Sequence, residues 1–111
     1  MTRDRVLTVS SRGGYIFLPA DLCAAAGFQR RDLLGCDLST AGQALVVVFL
    51  DNFDHRNAIG FVVKRDHSAT LPRAANQHLS VRAGDQLTVT IQRRRLRIRA
   101  RRGARKEVRQ L

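Results

Sequence analysis

Residues 68–98 read SATLPRAANQHLSVRAGDQLTVTIQRRRLRI, and this stretch decides the fold because an earlier part of the chain repeats its pattern. Placing Pro72 over Pro19 gives an offset of 53 residues and also aligns Val62 with Val9, Arg65 with Arg12, Leu71 with Leu18, Asp85 with Asp32 and Leu87 with Leu34. A unit of about 50 residues buries too little apolar surface to fold well alone. The sequence therefore predicts two tandem copies of one unit, over residues 5–50 and 58–100, that share a single core.

Each unit is predicted to be β-β-α-β-β. Short alternating or β-rich apolar runs are typical of strands, and Leu-Pro before alanine-rich sequence is typical of a helix start. In the first unit these patterns predict strands over residues 6–9, 15–18, 34–38 and 44–50 and a helix over 20–26 that ends at Gly27. In the second unit they predict strands over residues 59–64, 87–91 and 95–100 and a helix over 73–78. The predicted fold class is mainly β with two short helices, α+β.

The positive charge of the chain lies mostly near its C-terminus. The net charge is +11, but residues 1–91 contain ten Lys or Arg against eight Asp, whereas residues 92–111 contain ten against Glu107 alone. In the last predicted strand Arg95, Arg97 and Arg99 share one face, because side chains alternate along extended backbone. A dense cationic segment on a nearly neutral body predicts contact with nucleic acid. A solvated tail or an acidic protein partner is the alternative.

Several classes of protein are not favoured by the sequence. The longest apolar run, residues 44–50, is far short of the roughly 20 residues that span a bilayer, so we expect no membrane segment. Nothing at the N-terminus resembles a signal peptide, which favours the cytoplasm, with Cys23 and Cys36 as buried free thiols. The histidines and cysteines lack the spacing of metal ligands, so we expect no metal. Cys23 and Cys36 fit packing positions and the sequence shows no convergent polar cluster, so we expect no catalytic residues and no cofactor. Asp32 and Asp85 each follow a polar turn, which favours capping of that turn over acid–base catalysis.

The basic residues form two groups of candidate DNA contacts. Arg12 and Arg65 follow the first strand of each unit, and we expect them to project from one pole of a pseudo-twofold body. Arginines beside the helix ends can widen this surface, and they fit equally well as solvated charges or ion-pair partners. Residues 101–111 are predicted to be a basic tail that is mobile when unbound. The candidate DNA-binding residues are Arg12, Arg65, Lys64, Arg30, Arg31, Arg73, Arg82, Arg93, Arg94, Arg95, Arg97, Arg99, Arg101 and Arg102.

Two stretches resemble the AbrB/MazE/SpoVT family of swapped-hairpin DNA-binding domains. RGGYIFLPADL at residues 12–22 is similar to the family's turn, strand and helix start, and LSVRAGDQLTV at residues 79–89 is similar to its second half. Two units in one chain resemble the tandem, MraZ-like arrangement. The resemblance implies a pseudo-twofold swapped-hairpin barrel that binds operator DNA through basic residues on the turns beside the first strands, and that works as a dimer or larger ring.

The predicted function is that of a sequence-specific transcriptional regulator that binds double-stranded DNA as a homodimer or higher oligomer within a single domain of residues 1–111. Phosphate contacts fix register without reading sequence, so the tail is expected to add affinity and salt dependence. The alternative is an antitoxin-like or adaptor protein whose barrel oligomerises and whose tail binds a protein partner. RNA binding is less favoured, because the predicted strands contain few aromatic residues for base stacking.

Overall fold

The computed structural model describes residues 3–48 and 58–101. Within them the elements are β1 (Arg3–Thr8), β2 (Phe17–Leu18), α1 (Ala20–Ala25), β3 (Leu33–Asp37), β4 (Gln43–Val48), β5 (Ala58–Val62), β6 (Ala69–Thr70), α2 (Arg73–Leu79), β7 (Gln86–Gln92) and β8 (Arg95–Ala100). The prediction of a mainly β fold with two short helices is confirmed. In these residues neither helix is long and apolar enough to cross a membrane.

Six of the strands form one antiparallel sheet in the order β1-β7-β8-β4-β3-β5, while β2 and β6 form a separate ladder of two residue pairs. The sheet does not close into the predicted barrel, because its edge strands β1 and β5 are paired only with β7 and β3, respectively. After β1 and β5 the chain turns away from the sheet, and the strands that follow pair with each other. The closure expected from the resemblance is therefore replaced by an open sheet with a short ladder beside it.

One aliphatic core lies between the sheet and the helices. In β7, Leu87, Val89 and Ile91 are buried and alternate with half-buried polar residues, as the sequence pattern predicts. Helix α1 contributes Leu22 and helix α2 contributes Leu79 to the same cluster of buried residues. Pro and Ala around the helix starts favour these short helices, but most of their stability comes from packing on the sheet, because isolated helices of this length are unstable in water.

Backbone contacts recur in the second half of the chain. The backbone N–H of Gln29 donates to the Asp32 carboxylate, and that of Arg82 donates to Asp85, each at 2.8 Å. Both carboxylates thus cap a turn, which confirms the prediction made for them. The contact repeats at the offset of 53 residues that the sequence suggests.

The first strands of the two halves correspond at an offset of 54 residues, one more than the offset that aligns the prolines. The N–H of Val9 donates to the Asp85 carbonyl at 2.8 Å, and the N–H of Val63 donates to the Asp32 carbonyl at 3.0 Å. Val63 therefore corresponds to Val9, and the alignment of Val62 with Val9 was wrong by one residue; Val62 is 52% exposed. The shift arises because the turn over residues 65–67 is one residue shorter than the turn over 11–14.

Positive backbone φ angles also recur in pairs. Among the described residues, four that are not glycine have positive φ, and glycine with positive φ occupies the corresponding place in the other half of the chain. The pairs are Arg31 with Gly84, His67 with Gly14, Ser80 with Gly27 and Arg94 with Gly42. The last pair follows an offset of 52 residues, because Asp37 pairs with Leu45 where Thr90 pairs with Arg97. The left-handed conformation costs a residue with a Cβ about 1–2 kcal/mol, and glycine adopts it freely. Four positions therefore carry backbone strain that the other half avoids.

Candidate nucleic-acid interface

Arg12 and Arg65 lie in turns at opposite ends of the six-stranded sheet. Five antiparallel steps separate β1 from β5, so these two strands run in opposite directions and the turns that follow them point to opposite ends. The expectation that Arg12 and Arg65 share one pole was therefore wrong. The two turns are nevertheless connected through β2 and β6, which pair antiparallel at Phe17 and Thr70.

Most of the described basic residues gather at one end of the sheet, where β3 and β8 begin and β5 and β7 end. The N–H of Arg94 donates to the carbonyl of Ala26 at 2.7 Å, which places the turn between β7 and β8 beside the C-terminal end of α1. The N–H of Arg31 donates to the carbonyl of Val63 at 3.1 Å, which joins the turn before β3 to the end of β5. This basic end, as we name it, contains Arg3, Arg30, Arg31, Lys64, Arg65, Arg93, Arg94 and Arg95.

Four of these cations line one open cleft. Arg30, Arg31, Lys64 and Arg65 surround a volume of about 570 Å³ together with Val62 and Val63. The corresponding positions in the other half of the chain are Ala83, Gly84, Ser10 and Ser11, none of which is charged. Of these two pairs of turns, only the pair that lines the cleft is therefore basic.

No described carboxylate forms an ion pair with a cation of this cleft, although hydrogen bonds from Ser68 and, to a smaller extent, the charge of Lys64 lower the pKa of Asp66. Asp21 forms an ion pair with Arg5 at 2.6 Å, and the other carboxylates accept hydrogen bonds from backbone N–H groups or hydroxyls close to them. These bonds run from Thr90 to Asp4, from Gln29 to Asp32, from Ser39 to Asp37, from Ser68 to Asp66 and from Arg82 to Asp85. Within residues 3–48 and 58–101, the four cations of the cleft therefore form no ion pair with a carboxylate. Unneutralised guanidinium groups in an open cleft suit the recognition of phosphate.

Two strained arginines belong to the basic end. Arg31 has a φ of 74° and Arg94 a φ of 61°, while Gly84 and Gly42 occupy the corresponding positions in the other half. A glycine in either place would remove the strain, so the arginine side chains are kept at a cost to the fold. Strain of this kind is concentrated at functional surfaces.

The arginines of β8 are less accessible than the sequence suggests. Arg99 is exposed, but Arg95 and Arg97 are half-buried, and the Nε of Arg97 is buried without a hydrogen-bond partner among the described residues. Arg97 lies between Thr90 of β7 and Leu45 of β4 on the same face of the sheet. The predicted row of free guanidinium groups was therefore wrong in part, because β8 is a central strand whose neighbours cover the stems of its side chains.

The remaining candidates lie away from the basic end. Arg73 donates to the carbonyl of Gly13 at 3.3 Å and stands over the ring of Tyr15, with its guanidinium carbon 4.7 Å from the ring centroid. Arg101 bonds Gln86 through both its backbone and its guanidinium group. The structure thus leaves Arg12, Arg73, Arg82, Arg99 and Arg101 outside the basic cleft. Arg102 and the rest of the predicted tail lie outside the described residues.

Two aromatic residues, Tyr15 just before β2 and Phe17 on β2, were missed as candidates. Tyr15 is 42% and Phe17 43% exposed, whereas Ile16 and Leu18 between and after them are fully buried. The alternation places both aromatic side chains on the outer face. The sequence Tyr-Ile-Phe-Leu could have predicted this exposure. Side chains alternate along an extended segment, so four consecutive apolar residues place two of them on the outer face.

The two cysteine thiols are buried in the core, which keeps them protonated. Burial raises the pKa of the Cys23 thiol to about 11 and that of Cys36 to about 12, so both are neutral near pH 7. Both thiols are free and buried, as the sequence predicts. No three His, Cys, Asp or Glu side chains among these residues lie close enough to hold a metal ion.

Comparison with protein-family models, with curated proteins and with solved structures gives no match for this chain. The resemblance to the AbrB/MazE/SpoVT family therefore depends on residues 12–22 and 79–89. The function has to be argued from the surface described above.

Proposed function

We propose that this chain is a DNA-binding transcriptional regulator that grips the phosphate backbone of duplex DNA with its basic end. One observation carries the proposal: Arg30, Arg31, Lys64 and Arg65 line one cleft, and among the described residues none of the four forms an ion pair. Three of the four are arginines, whose planar forks of N–H donors match the oxygens of a phosphate. Arg93 and Arg94, in a neighbouring turn, extend the contact along the backbone.

The proposal includes two interlocked β-β-α-β-β units, as in the swapped-hairpin family. The first strand of each half pairs with the third strand of the other half, β1 with β7 and β5 with β3, which supports this arrangement. The recurring turn caps at Asp32 and Asp85 support it as well. Such a regulator acts in the cytoplasm, has no catalytic activity, and binds an operator as a homodimer in which each protomer supplies one basic end.

The proposal is tested with a triple variant that copies the other half of the chain. Arg30→Ala, Arg31→Gly and Arg65→Ser introduce the residues found at the corresponding positions 83, 84 and 11, so the turns keep a sequence compatible with their backbone. We expect duplex DNA affinity to fall by at least tenfold at 0.1 M salt, measured by fluorescence anisotropy of a labelled duplex. Charged hydrogen bonds of about 1.5 kcal/mol or more each justify this magnitude.

A matched control removes the same charge elsewhere. Arg82→Gln, Arg99→Gln and Arg101→Gln lower the net charge by three without touching the basic end. We expect this variant to bind the duplex within about threefold of the original chain, since distant charges are screened at this salt concentration. Equal losses in both triple variants would show that affinity follows net charge alone, and the proposed site would be rejected.

A second candidate is favoured by the edge strand β5. Its sequence, Ala-Ile-Gly-Phe-Val, contains no charged residue, whereas the opposite edge strand β1 contains Arg3, Asp4 and Arg5. Charges on an edge strand prevent pairing with another chain, so β5 is the edge suited to oligomerisation. In this reading the basic residues bind an acidic protein, as in an antitoxin. Co-purification with such a protein, together with no shift of duplex DNA, would favour it over the regulator.

A further inference from the structure

Two exposed aromatic rings, each next to a cation, form a surface beside the basic cleft, and the proposed duplex contact does not use the rings. Tyr15 and Phe17 project from the same side of an extended segment, separated by about 6.6 Å at 3.3 Å per residue. The guanidinium of Arg73 lies 4.7 Å from the centre of the Tyr15 ring, and the Nζ of Lys64 lies 6.0 Å from that of Phe17. We name these four residues the aromatic surface.

The fold does not require these rings. The N–H of Ser10 donates to the Tyr15 carbonyl at 3.0 Å, and the N–H of Lys64 donates to the Ser68 carbonyl at 2.8 Å, so Ser68 corresponds to Tyr15. Phe17 pairs directly with its own counterpart, Thr70. The other half of the chain therefore builds the same backbone with small polar side chains.

The two cations likewise have no charged counterpart in the other half of the chain. Arg73 corresponds to Ala20, and Lys64 corresponds to Ser10. Each ring and its cation come from different halves of the chain, and both members of each pair are replaced by small or uncharged residues at the corresponding places. Packing of the core explains neither pair, because both rings are about two-fifths exposed.

We propose that Tyr15 and Phe17 stack unpaired nucleobases, so that the protein holds single-stranded or locally opened DNA in addition to the duplex. The inference extends the proposed DNA-binding function. Bases stack on exposed aromatic side chains irrespective of sequence, and neighbouring cations hold the phosphates that join them. The two rings lie about twice the 3.4 Å rise of a stacked strand apart, which suits successive bases that have been pulled out of the stack.

The position of the aromatic surface matches this role. Lys64 belongs both to the basic cleft and to the aromatic surface, so a strand leaving the cleft reaches Phe17 directly. The ladder then leads past Tyr15 toward the turn that contains Arg12, at the other end of the sheet. Duplex phosphates at the basic end and unpaired bases on the ladder form one continuous contact.

The protein contains an internal reporter for this contact. Tyr15 is the only tyrosine of the chain and there is no tryptophan. Its emission therefore reports stacking at this one position. The ligands are an oligodeoxythymidine 12-mer, a fully paired 12-bp duplex and an abasic deoxyribose-phosphate 12-mer. We expect the thymidine strand to quench Tyr15 at saturation, whereas the duplex and the abasic strand bind without quenching.

A variant separates stacking from charge. Phe17→Thr introduces the residue found at the corresponding position, and its affinity for the thymidine strand is expected to fall about tenfold, since base stacking is worth about 1–3 kcal/mol per ring. Its affinity for the duplex is expected to stay unchanged. The control, Val6→Thr, removes a similarly exposed apolar side chain on β1 and is expected to alter neither affinity.

The outcomes distinguish the two proposals. Binding of the thymidine strand without quenching, or equal affinity of the original chain and Phe17→Thr for it, would overturn the stacking proposal and leave the duplex site standing. Absence of binding to all three ligands would overturn both.

Discussion

Arg31 adopts a left-handed backbone conformation, with φ of 74°, at the position where the other half of the chain has Gly84 with φ of 88°. The two residues precede Asp32 and Asp85, whose carboxylates cap the same turn in each half. The turn thus accepts glycine in one half and tolerates a strained arginine in the other. We therefore expect a glycine at position 31 to raise the free energy of unfolding and to lower the affinity for duplex DNA.

Arg31→Gly is expected to stabilise the fold and weaken DNA binding together. Relief of a backbone cost of about 1–2 kcal/mol exceeds the extra chain entropy of glycine, so the free energy of unfolding should rise by about 0.5–1 kcal/mol. Urea denaturation measures this change, and a titration with duplex DNA measures the loss of affinity. Ser80→Gly is the control for DNA binding: it places glycine at another left-handed position, away from the basic end, and should leave the affinity for duplex DNA unchanged. A less stable Arg31→Gly variant would contradict the assigned strain.

The two capping carboxylates should contribute similarly to stability. Asp32→Ala and Asp85→Ala each remove an acceptor for a backbone N–H at 2.8 Å. We expect each to lower the free energy of unfolding by about 1 kcal/mol, the usual value of such a bond at a partly exposed turn. Urea denaturation of both variants measures it. A large loss in one and none in the other would mean that the turns are not equivalent.

Tyr15 should ionise at a lower pH than a free tyrosine. A hydrogen bond from Arg73, aided by its charge, lowers the pKa of the exposed Tyr15 phenol below its usual value of 10.0. The absorbance of tyrosinate near 295 nm gives the midpoint directly, because the chain has no other tyrosine. Arg73→Ala should move the midpoint up toward the usual value, whereas Arg82→Ala should leave it in place. No difference between Arg73→Ala and the original chain would refute the contact.

The thiols should be unreactive in the folded protein. Burial raises the pKa of Cys23 to about 11 and of Cys36 to about 12, so at pH 8 at most roughly one thiol in a thousand is ionised. A disulfide reagent such as DTNB at pH 8 is expected to label the native protein only as fast as it unfolds, and to label both thiols at once in denaturant. Rapid labelling of one thiol in the native state would show that it is accessible.

The sequence predicted features that depend on a few adjacent residues. Leu-Pro followed by alanines starts α1 within one residue of the expected place, and the Asp32 and Asp85 caps follow from a short polar turn. The direction of β5 relative to β1 could not be predicted in the same way. It depends on the pairing of strands distant in the sequence, and this pairing separates Arg12 from Arg65.

The basic end could not be predicted from the sequence for the same reason. Arg3, Arg31, Lys64 and Arg93 are scattered over most of the chain, and only the strand order brings them to one end of the sheet. The C-terminal run of arginines is denser in the sequence, but in β8 two of these side chains are half-buried. Charge density along a sequence is thus a weaker guide than the charge that remains unpaired after folding.

The salt dependence of duplex binding tests the central claim most directly. A plot of log K against log salt has a slope of about 0.9 for each phosphate neutralised on duplex DNA. For the variant with Arg30→Ala, Arg31→Gly and Arg65→Ser, the account predicts a slope smaller by about 2 to 3 than that of the original chain, and an unchanged slope for Arg82→Gln with Arg99→Gln and Arg101→Gln. An unchanged slope in the first variant would contradict the assignment of the basic end as the phosphate-binding surface.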